Sequence, residues 1–301
     1  MNVETRNISM YRNSGIHHLG RLRACLVIVF IGILLLLFAC TASIALYIAF
    51  PPSPINILIM GLDSRGNEGR ITRTDSIMIV GVYPAKMDLS VLSIPRDLFI
   101  NVPGYGMQRI NTINVLAEME TSGTGPSLLA QSIEQNFDMR VDYYIRLDFQ
   151  AFVAVVDAVG GLDIDVPYDI VDYQFPTDDY GTIEVHFEAG QQHMNGQTAL
   201  IYARTRHGDD DYRRAERQQQ VVNALLQKLA NPFNWSAAWF IQQHMETDMN
   251  LLHMLGLFPP VLFSGGNMNR LVIDRQYILP GDGYSVPNYE AIRPFISANF
   301  D

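Results

Sequence analysis

The hydrophobic pattern divides the chain at residue 50. Residues 24–50, "ACLVIVFIGILLLLFACTASIALYIAF", carry no charged side chain, which is enough to cross a bilayer core as a helix. A cleaved signal peptide normally has a shorter apolar region. Ala39 and Ala42 offer the small residues that cleavage needs, but the length favours an uncleaved anchor. After the stiff spacer "PPSP" (51–54), apolar runs bounded by turn residues predict strands in "INILIMG", "SIMIVGVY" and "LSVLSI", the last two joined by "PAKMD". Helical spacing follows in "PSLLAQSIEQNF" and "DFQAFVAVVDAVGG", and "LDIDV" returns to strand alternation. Residues 212–229 form the clearest helix, with Val221, Val222, Leu225, Leu226 and Leu229 as its apolar stripe. Further helices are expected in "NWSAAWFIQQHM" and "NLLHMLGLF", then a strand in "RLVIDRQYIL" and a tail rich in Gly and Pro. Strands alternating with helices predict one three-layer α/β or α+β domain.

Charge sets the orientation expected of the span. Arg6, Arg12, Arg21 and Arg23 precede it, and basic flanks stay cytoplasmic. The expected organisation is a cytoplasmic tail over residues 1–23, a transmembrane helix over 24–50 and an extracytoplasmic domain over 51–301. That domain holds 17 basic and 30 acidic residues, net −13, which argues against a general binder of nucleic acid or anionic membrane. Both cysteines, Cys25 and Cys40, fall in the span, so the domain carries no disulfide and depends on its core.

Several chemistries lack their signatures. Gly61 and Gly66 have P-loop spacing after a strand, but Asn67 and Glu68 stand where Lys and Ser/Thr are needed. There is no Gly-x-Ser-x-Gly, no His-Glu-x-x-His, and the seven histidines are scattered.

What stands out is arginine. Arg204, Arg206, Arg213, Arg214 and Arg217 lie within fourteen residues around Asp209–Asp211. If "YARTR" is extended, Arg204 and Arg206 leave from one face and make a fork for phosphate oxygens. Arg214 and Gln218 extend the apolar stripe of the 212–229 helix backwards, so they should point inward. Arginines in a first helical turn oppose the helix dipole unless an anion lies between them. The competing reading is a solvated cluster in which the arginines pair with Asp209–Asp211. "SIPRDLF" places Arg96 and Asp97 just after a strand. Asp63 and Asp75 flank a loop containing Arg65, Arg70 and Arg73. Two such carboxylates suit a hard divalent ion such as Mg²⁺, although either aspartate taken alone is more often a turn residue or an arginine partner.

The blocks "NILIMGLDSRG…RTDSIMIV", "VLSIPRDLFINVPGYGMQRIN", "DYYIRLDFQAFVAVVDAVGGLDIDVP", "FEAGQQHMNGQTALIYARTRH" and "DYRRAERQQQVV" together resemble the LytR-CpsA-Psr family of bacterial cell-envelope proteins, and "METDMNLLHMLGLF" resembles its weaker C-terminal part. The resemblance implies an α/β/α domain with a mixed central sheet behind a single membrane anchor. It implies a long apolar pocket for a polyprenyl tail, with arginines around a pyrophosphate at its mouth. The implied activity is Mg²⁺-dependent phosphotransfer of a glycopolymer, such as teichoic acid or capsule, from an undecaprenyl-pyrophosphate carrier to peptidoglycan. By position, the resemblance assigns Asp63 and Asp75 to Mg²⁺. It assigns Arg73, Arg96, Arg109, Arg204, Arg206, Arg214, Arg217 and Gln218 to the pyrophosphate, and Arg96, Arg204, Arg206 and Asp211 to catalysis. The family often has Lys where this chain has Arg109, so a basic residue before "IN" is what carries over. The rival readings are a non-catalytic polyprenyl-pyrophosphate binder or envelope regulator, and a lipid pyrophosphatase using the same site with water.

Overall fold

The computed structural model describes residues 4–64, 69–177, 181–206, 211–231, 234–264, 268–281 and 283–300. It comprises two compact units, Met1–Pro52 and Ser53–Asp301.

The first unit is one long helix, α1 (Glu4–Ala49). Its 25-residue segment Cys25–Ala49 includes an 18-residue stretch with a mean hydropathy of 3.0 and is a candidate membrane span. At 1.5 Å per residue it is about 37 Å long, against about 30 Å of hydrocarbon. Within it, the Thr41 hydroxyl donates to the carbonyls of Leu37 and Phe38 at 3.0 Å, satisfying itself inside the helix. The helix stops before Pro51 and Pro52, where the missing N–H groups prevent continuation.

In the second unit, β1 (Ile55–Leu62), β2 (Thr74–Tyr83) and β3 (Asp88–Ser93) form an antiparallel meander. A hairpin of β4 (Phe99–Val102) and β5 (Gly106–Arg109) follows, then α2 (Ile113–Glu120) and α3 (Gly125–Phe137). β6 (Tyr143–Leu147) returns beside β1 in parallel, and α4 (Phe149–Ala158) leads to β7 (Leu162–Val166). β8 (Ile170–Pro176) and β9 (Thr182–Phe187) pair as a hairpin, and β10 (Gly190–Met194) pairs with β7. Next come α5 (Gly196–Arg204), α6 (Asp211–Ala230), α7 (Trp235–His244), β11 (Glu246–Thr247), α8 (Leu251–Gly256) and α9 (Phe258–Phe263). The chain closes with β12 (Asn269–Val272), β13 (Ile278–Pro280), β14 (Ser285–Pro287) and α10 (Tyr289–Asn299).

The central sheet has six strands in the order β11-β6-β1-β2-β3-β12 and is mixed, as expected. Its two faces follow from strand alternation. Leu58, Met60, Ile77, Ile79 and Leu92 pack against Leu129, Ile133, Ile292 and Ile296 of α3 and α10. Ile57, Met78, Val80 and Val91 pack on the other face against Val222, Leu226, Ala230 and Val261 of α6 and α9. A further core joins α4, α5 and α6 to β7 and β10. The fold is therefore the three-layer α/β/α arrangement. The segment "RLVIDRQYIL" is not one strand: the Asp274 carboxylate accepts from Gln276 N at 3.0 Å and starts a 3-10 turn that separates β12 from β13.

Candidate functional site

Because β1 runs parallel to β6 and both β1 and β3 run antiparallel to β2, the carboxyl ends of β1, β3 and β6 meet the start of β2 at one edge of the sheet. Ligands of α/β sheets bind beyond such ends. A cavity of about 900 Å³ lies there, near the upper end of ligand-pocket sizes.

The lining changes character along α6. Arg214 and Gln218, near its start, face the cavity, and Val221, Val222, Leu225, Leu226 and Leu229 follow them. Residues 214 to 229 span about 22 Å of helix. Ile59, Met78, Ile145, Leu147, Phe152, Val155 and Leu200 supply further apolar wall. The polar end gathers Asp63 from just after β1, Asp75 from β2, Arg96 from beyond β3, and Arg204 and Arg206 from the end of α5. Ser76 donates to Gln218 Oε1 at 3.0 Å, tying β2 to α6. Gly61 lines the cavity where β1 and β2 shift register, and a Cβ there would sit 3.0 Å from that of Ser76.

The ionic geometry is specific. Arg96 Nη1 donates to Asp75 Oδ2 at 2.5 Å. Asp97 bridges Arg96 Nε at 3.5 Å and Arg109 Nη1 at 3.3 Å. The Arg96 loop is fixed through its backbone, with Asn111 N donating to Arg96 O at 3.2 Å and Ile110 N to Leu98 O at 2.8 Å. Arg109 does not line the cavity; it lies over the Phe99 ring at 5.5 Å and reaches the site only through Asp97. Arg73 is exposed and also absent from the lining, although its carbonyl accepts from Asp63 N at 3.1 Å.

"YARTR" is not an extended fork. Asn195 caps α5 by accepting from Thr198 N at 2.9 Å, and the helix carries Tyr202, Ala203 and Arg204. Only at Thr205 does the backbone turn extended, with φ −58° and ψ 144°. Arg204 and Arg206 nevertheless both reach the cavity. Arg204, in a last helical turn where a cation suits the dipole, has its guanidinium carbon 4.2 Å from the Phe149 ring centroid and 5.3 Å from that of Phe175.

Arg214 is 7% exposed and lines the cavity, so the inward-facing arginine expected from helical spacing is real. Arg217 is 2% exposed and is absent from the lining; its Nη2 donates to Thr205 O at 2.5 Å. Arg213 faces outward beside Glu216 at 3.4 Å. Asp211 opens α6, but its side chain, together with Arg65, Asp209 and Asp210, lies outside the described residues.

Two groups were not anticipated from the sequence. Asp172, 6% exposed on β8, lines the cavity and accepts from Thr205 Oγ1 at 2.8 Å, Arg206 N at 3.0 Å and Gln174 N at 3.0 Å. Behind the site, Arg146 on β6 is buried and donates to Glu118 at 2.6 Å, Asn114 at 3.0 Å and Glu246 at 2.7 Å. Asn114 in turn donates to Arg70 O at 2.8 Å and Thr72 O at 2.9 Å, holding the loop that leads to Asp75. The only hint of this network was an arginine inside a buried strand, a position that demands partners. Burial pushes the Glu118 carboxyl upward, but the Gly123 N–H, Arg146 and the Gly125 N–H outweigh it and hold its pKa below the ordinary value. Burial likewise opposes the Arg146 charge, and Glu246 and Glu118 restore it, raising its pKa.

Chemically, the lining offers four guanidinium groups, those of Arg96, Arg204, Arg206 and Arg214, and four carboxylates, those of Asp63, Asp75, Asp148 and Asp172, beside an apolar wall. That combination suits an amphiphile with a phosphorylated head.

A model of the LytR_cpsA_psr family matches residues 45–286. The polyisoprenyl-teichoic acid–peptidoglycan teichoic acid transferase TagV of Bacillus subtilis is 31% identical over 241 residues, covering 78% of this chain and 59% of TagV. The regulatory protein MsrR of Staphylococcus aureus is 32% identical over 180 residues, covering 59% of this chain and 50% of MsrR. The chain thus spans between half and three fifths of the length of these relatives. The crystal structure of B. subtilis TagV superposes with a TM-score of 0.67 at 27% identity, covering 83% of this chain and 98% of that one. The family match over most of the chain, the shared fold and the ordered motifs agree: this chain belongs to the LytR-CpsA-Psr family.

Proposed function

We propose that the protein is a membrane-anchored phosphotransferase that moves a glycopolymer from a polyprenyl-pyrophosphate carrier to peptidoglycan. The observation that carries this is the single cavity surface that is apolar along α6 and ringed by Arg96, Arg204, Arg206 and Arg214 at its polar end. A polyprenyl chain fills the apolar part and the pyrophosphate meets the arginines. The name of TagV, which specifies a polyisoprenyl-linked polymer and a peptidoglycan acceptor, supports the same substrates.

In the reaction, an acceptor hydroxyl oxygen forms a bond to the polymer-side phosphorus and the bridging P–O bond breaks. Polyprenyl monophosphate leaves with the bond electrons, the hydroxyl proton passes to solvent, and a phosphodiester joins polymer to acceptor. Little covalent chemistry is asked of the protein. Arg96, Arg204, Arg206 and Arg214 orient the phosphates and neutralise charge that spreads during transfer. The apolar channel excludes water from the lipid. In a domain of net −13, these arginines also supply the local positive potential that admits a pyrophosphate.

The residues present fit Mg²⁺. Asp63 and Asp75 place two hard carboxylates at the polar end, and a Mg²⁺ site commonly takes one or two carboxylates with substrate phosphate oxygens completing the shell. When bound, the ion would neutralise phosphate oxygens. The basic flank Arg6–Arg23 supports an orientation with residues 1–23 in the cytoplasm and the domain outside; a reporter fused after Asp301 and active only in the cytosol would refute this orientation.

The test is incubation of the purified chain with a lipid-pyrophosphate oligosaccharide, Mg²⁺ and a peptidoglycan fragment. Mass spectrometry should find a fragment enlarged by one phosphodiester-linked oligosaccharide. Tight lipid binding with no such product would favour the second reading, a non-catalytic binder, which the name of MsrR as a regulatory protein supports.

A further inference from the structure

Arg204 and Arg206 belong to a turn that is gripped from two sides. From β8, Asp172 Oδ2 accepts both the Thr205 hydroxyl at 2.8 Å and the Arg206 N–H at 3.0 Å. Its Oδ1 accepts from Gln174 N at 3.0 Å, which fixes the carboxylate itself. From α6, Arg217 Nη2 donates to the Thr205 carbonyl at 2.5 Å. Asp172, Thr205 and Arg217 are all buried, Thr205 fully so.

We propose that Asp172, Thr205 and Arg217 form a clasp that sets where Arg204 and Arg206 present their guanidiniums, making Asp172 and Arg217 positioning residues. Arg217 acts through the Thr205 carbonyl, because its side chain is buried and does not line the cavity. The inference rests on the phosphotransferase reading for its effect on rate. The clasp matters because Thr205 is where α5 gives way to extended backbone. A helix end fixed only by its own hydrogen bonds frays, and a shift of about 1 Å in a phosphate-binding group costs on the order of 10²-fold in rate.

The experiment compares Thr205→Val, which removes the hydroxyl, with Thr205→Ser, which keeps it, in the full chain in detergent. Thr205→Val should lower kcat about tenfold or more, with KM for the lipid changed little because the apolar channel is intact. Thr205→Ser should restore kcat to near wild type. Arg217→Lys should resemble Thr205→Val. The independent readout is the ¹⁵Nε–¹Hε spectrum of the arginine side chains. The Arg204 and Arg206 signals should move toward those of a free arginine in Thr205→Val and return in Thr205→Ser. A Thr205→Val protein that melts lower but keeps its kcat and its arginine signals overturns the clasp. If the wild type transfers no polymer, the phosphotransferase reading fails, and the spectra alone still decide the clasp.

Discussion

Arg96 Nη1 lies 2.5 Å from Asp75 Oδ2, so a phosphate-binding candidate and a metal-ligand candidate are already paired at the polar end of the cavity. The side chains are 20% and 25% exposed, so the pair is largely shielded from solvent. Its use lies in holding Arg96 in place until an anion arrives.

The first prediction concerns that pair. Asp75→Ala leaves Arg96 with Asp97 at 3.5 Å as its carboxylate partner and should lower Mg²⁺-dependent turnover by about 10²-fold, as for loss of one electrostatic stabiliser. A Mg²⁺ titration of turnover checks it. Full Mg²⁺-dependent activity in Asp75→Ala would remove Asp75 from the proposed metal site.

The arginines should separate from one another. Truncating Arg204, Arg206 or Arg214 should each remove ~2–4 kcal/mol of transition-state stabilisation, roughly 10²–10³ in rate. Arg206 is exposed, and relief of like-charge repulsion should leave Arg206→Ala as stable as wild type or more so. Arg204→Ala should differ by also losing its two ring contacts, worth about 0.5–2 kcal/mol. Lys at 206 should rescue only in part, since a point charge cannot reproduce a planar fork. Melts run beside turnover decide; a destabilised but fully active Arg206→Ala would fit a structural charge cluster instead.

The buried network predicts a pH effect. The folded pKa of Glu118 is depressed, so its ionisation stabilises the fold above the unfolded carboxylate pKa of about 4.3 and that stability is lost as pH falls through the lower folded value. Glu118→Gln takes one of the two carboxylate partners of Arg146 and leaves Glu246, so it should cost about 1–3 kcal/mol near pH 7. The gap between the two proteins should narrow as pH drops below about 4. Melting curves from neutral pH to pH 3 test this, and a constant gap would contradict it.

Parts of this site were legible in the sequence and parts were not. Helical spacing placed Arg214 and Gln218 on the stripe of Val221 and Leu225, and the cavity lining contains all four. Those relations are local to one helix. The Arg204–Arg206 pair reaches the cavity by a different geometry from the one expected, because α5 is short and its apolar residues do not advertise where it ends. Asp172 escaped notice because β8 pairs with β9 across a weakly alternating stretch, and nothing near it in sequence indicates Thr205, 33 residues on. Arg146 meets Glu118 on α2 and Glu246 on β11 across separations of 28 and 100 residues, which only the folded domain brings together. Arg73, Arg109 and Arg217 match motif positions, yet their side chains do not line the cavity; motif membership marks a residue without stating what it touches.

The apolar half of the cavity should read chain length. Leu225→Trp narrows the channel beside Val221 and Leu229. Each displaced CH₂ loses about 0.8 kcal/mol, so long-chain polyprenyl pyrophosphates should lose affinity while short-chain analogues keep theirs. Equal losses for both lengths would place the lipid elsewhere.

The most direct measurement of the central claim is release of polyprenyl monophosphate with and without a peptidoglycan acceptor, under saturating lipid substrate and Mg²⁺. A phosphotransferase releases monophosphate in step with phosphodiester formation, slowly or not at all without acceptor, and about 10²–10³-fold more slowly in Arg204→Ala. Acceptor-independent release would indicate a pyrophosphatase. Binding without any release, unchanged in Arg204→Ala, would contradict the account outright.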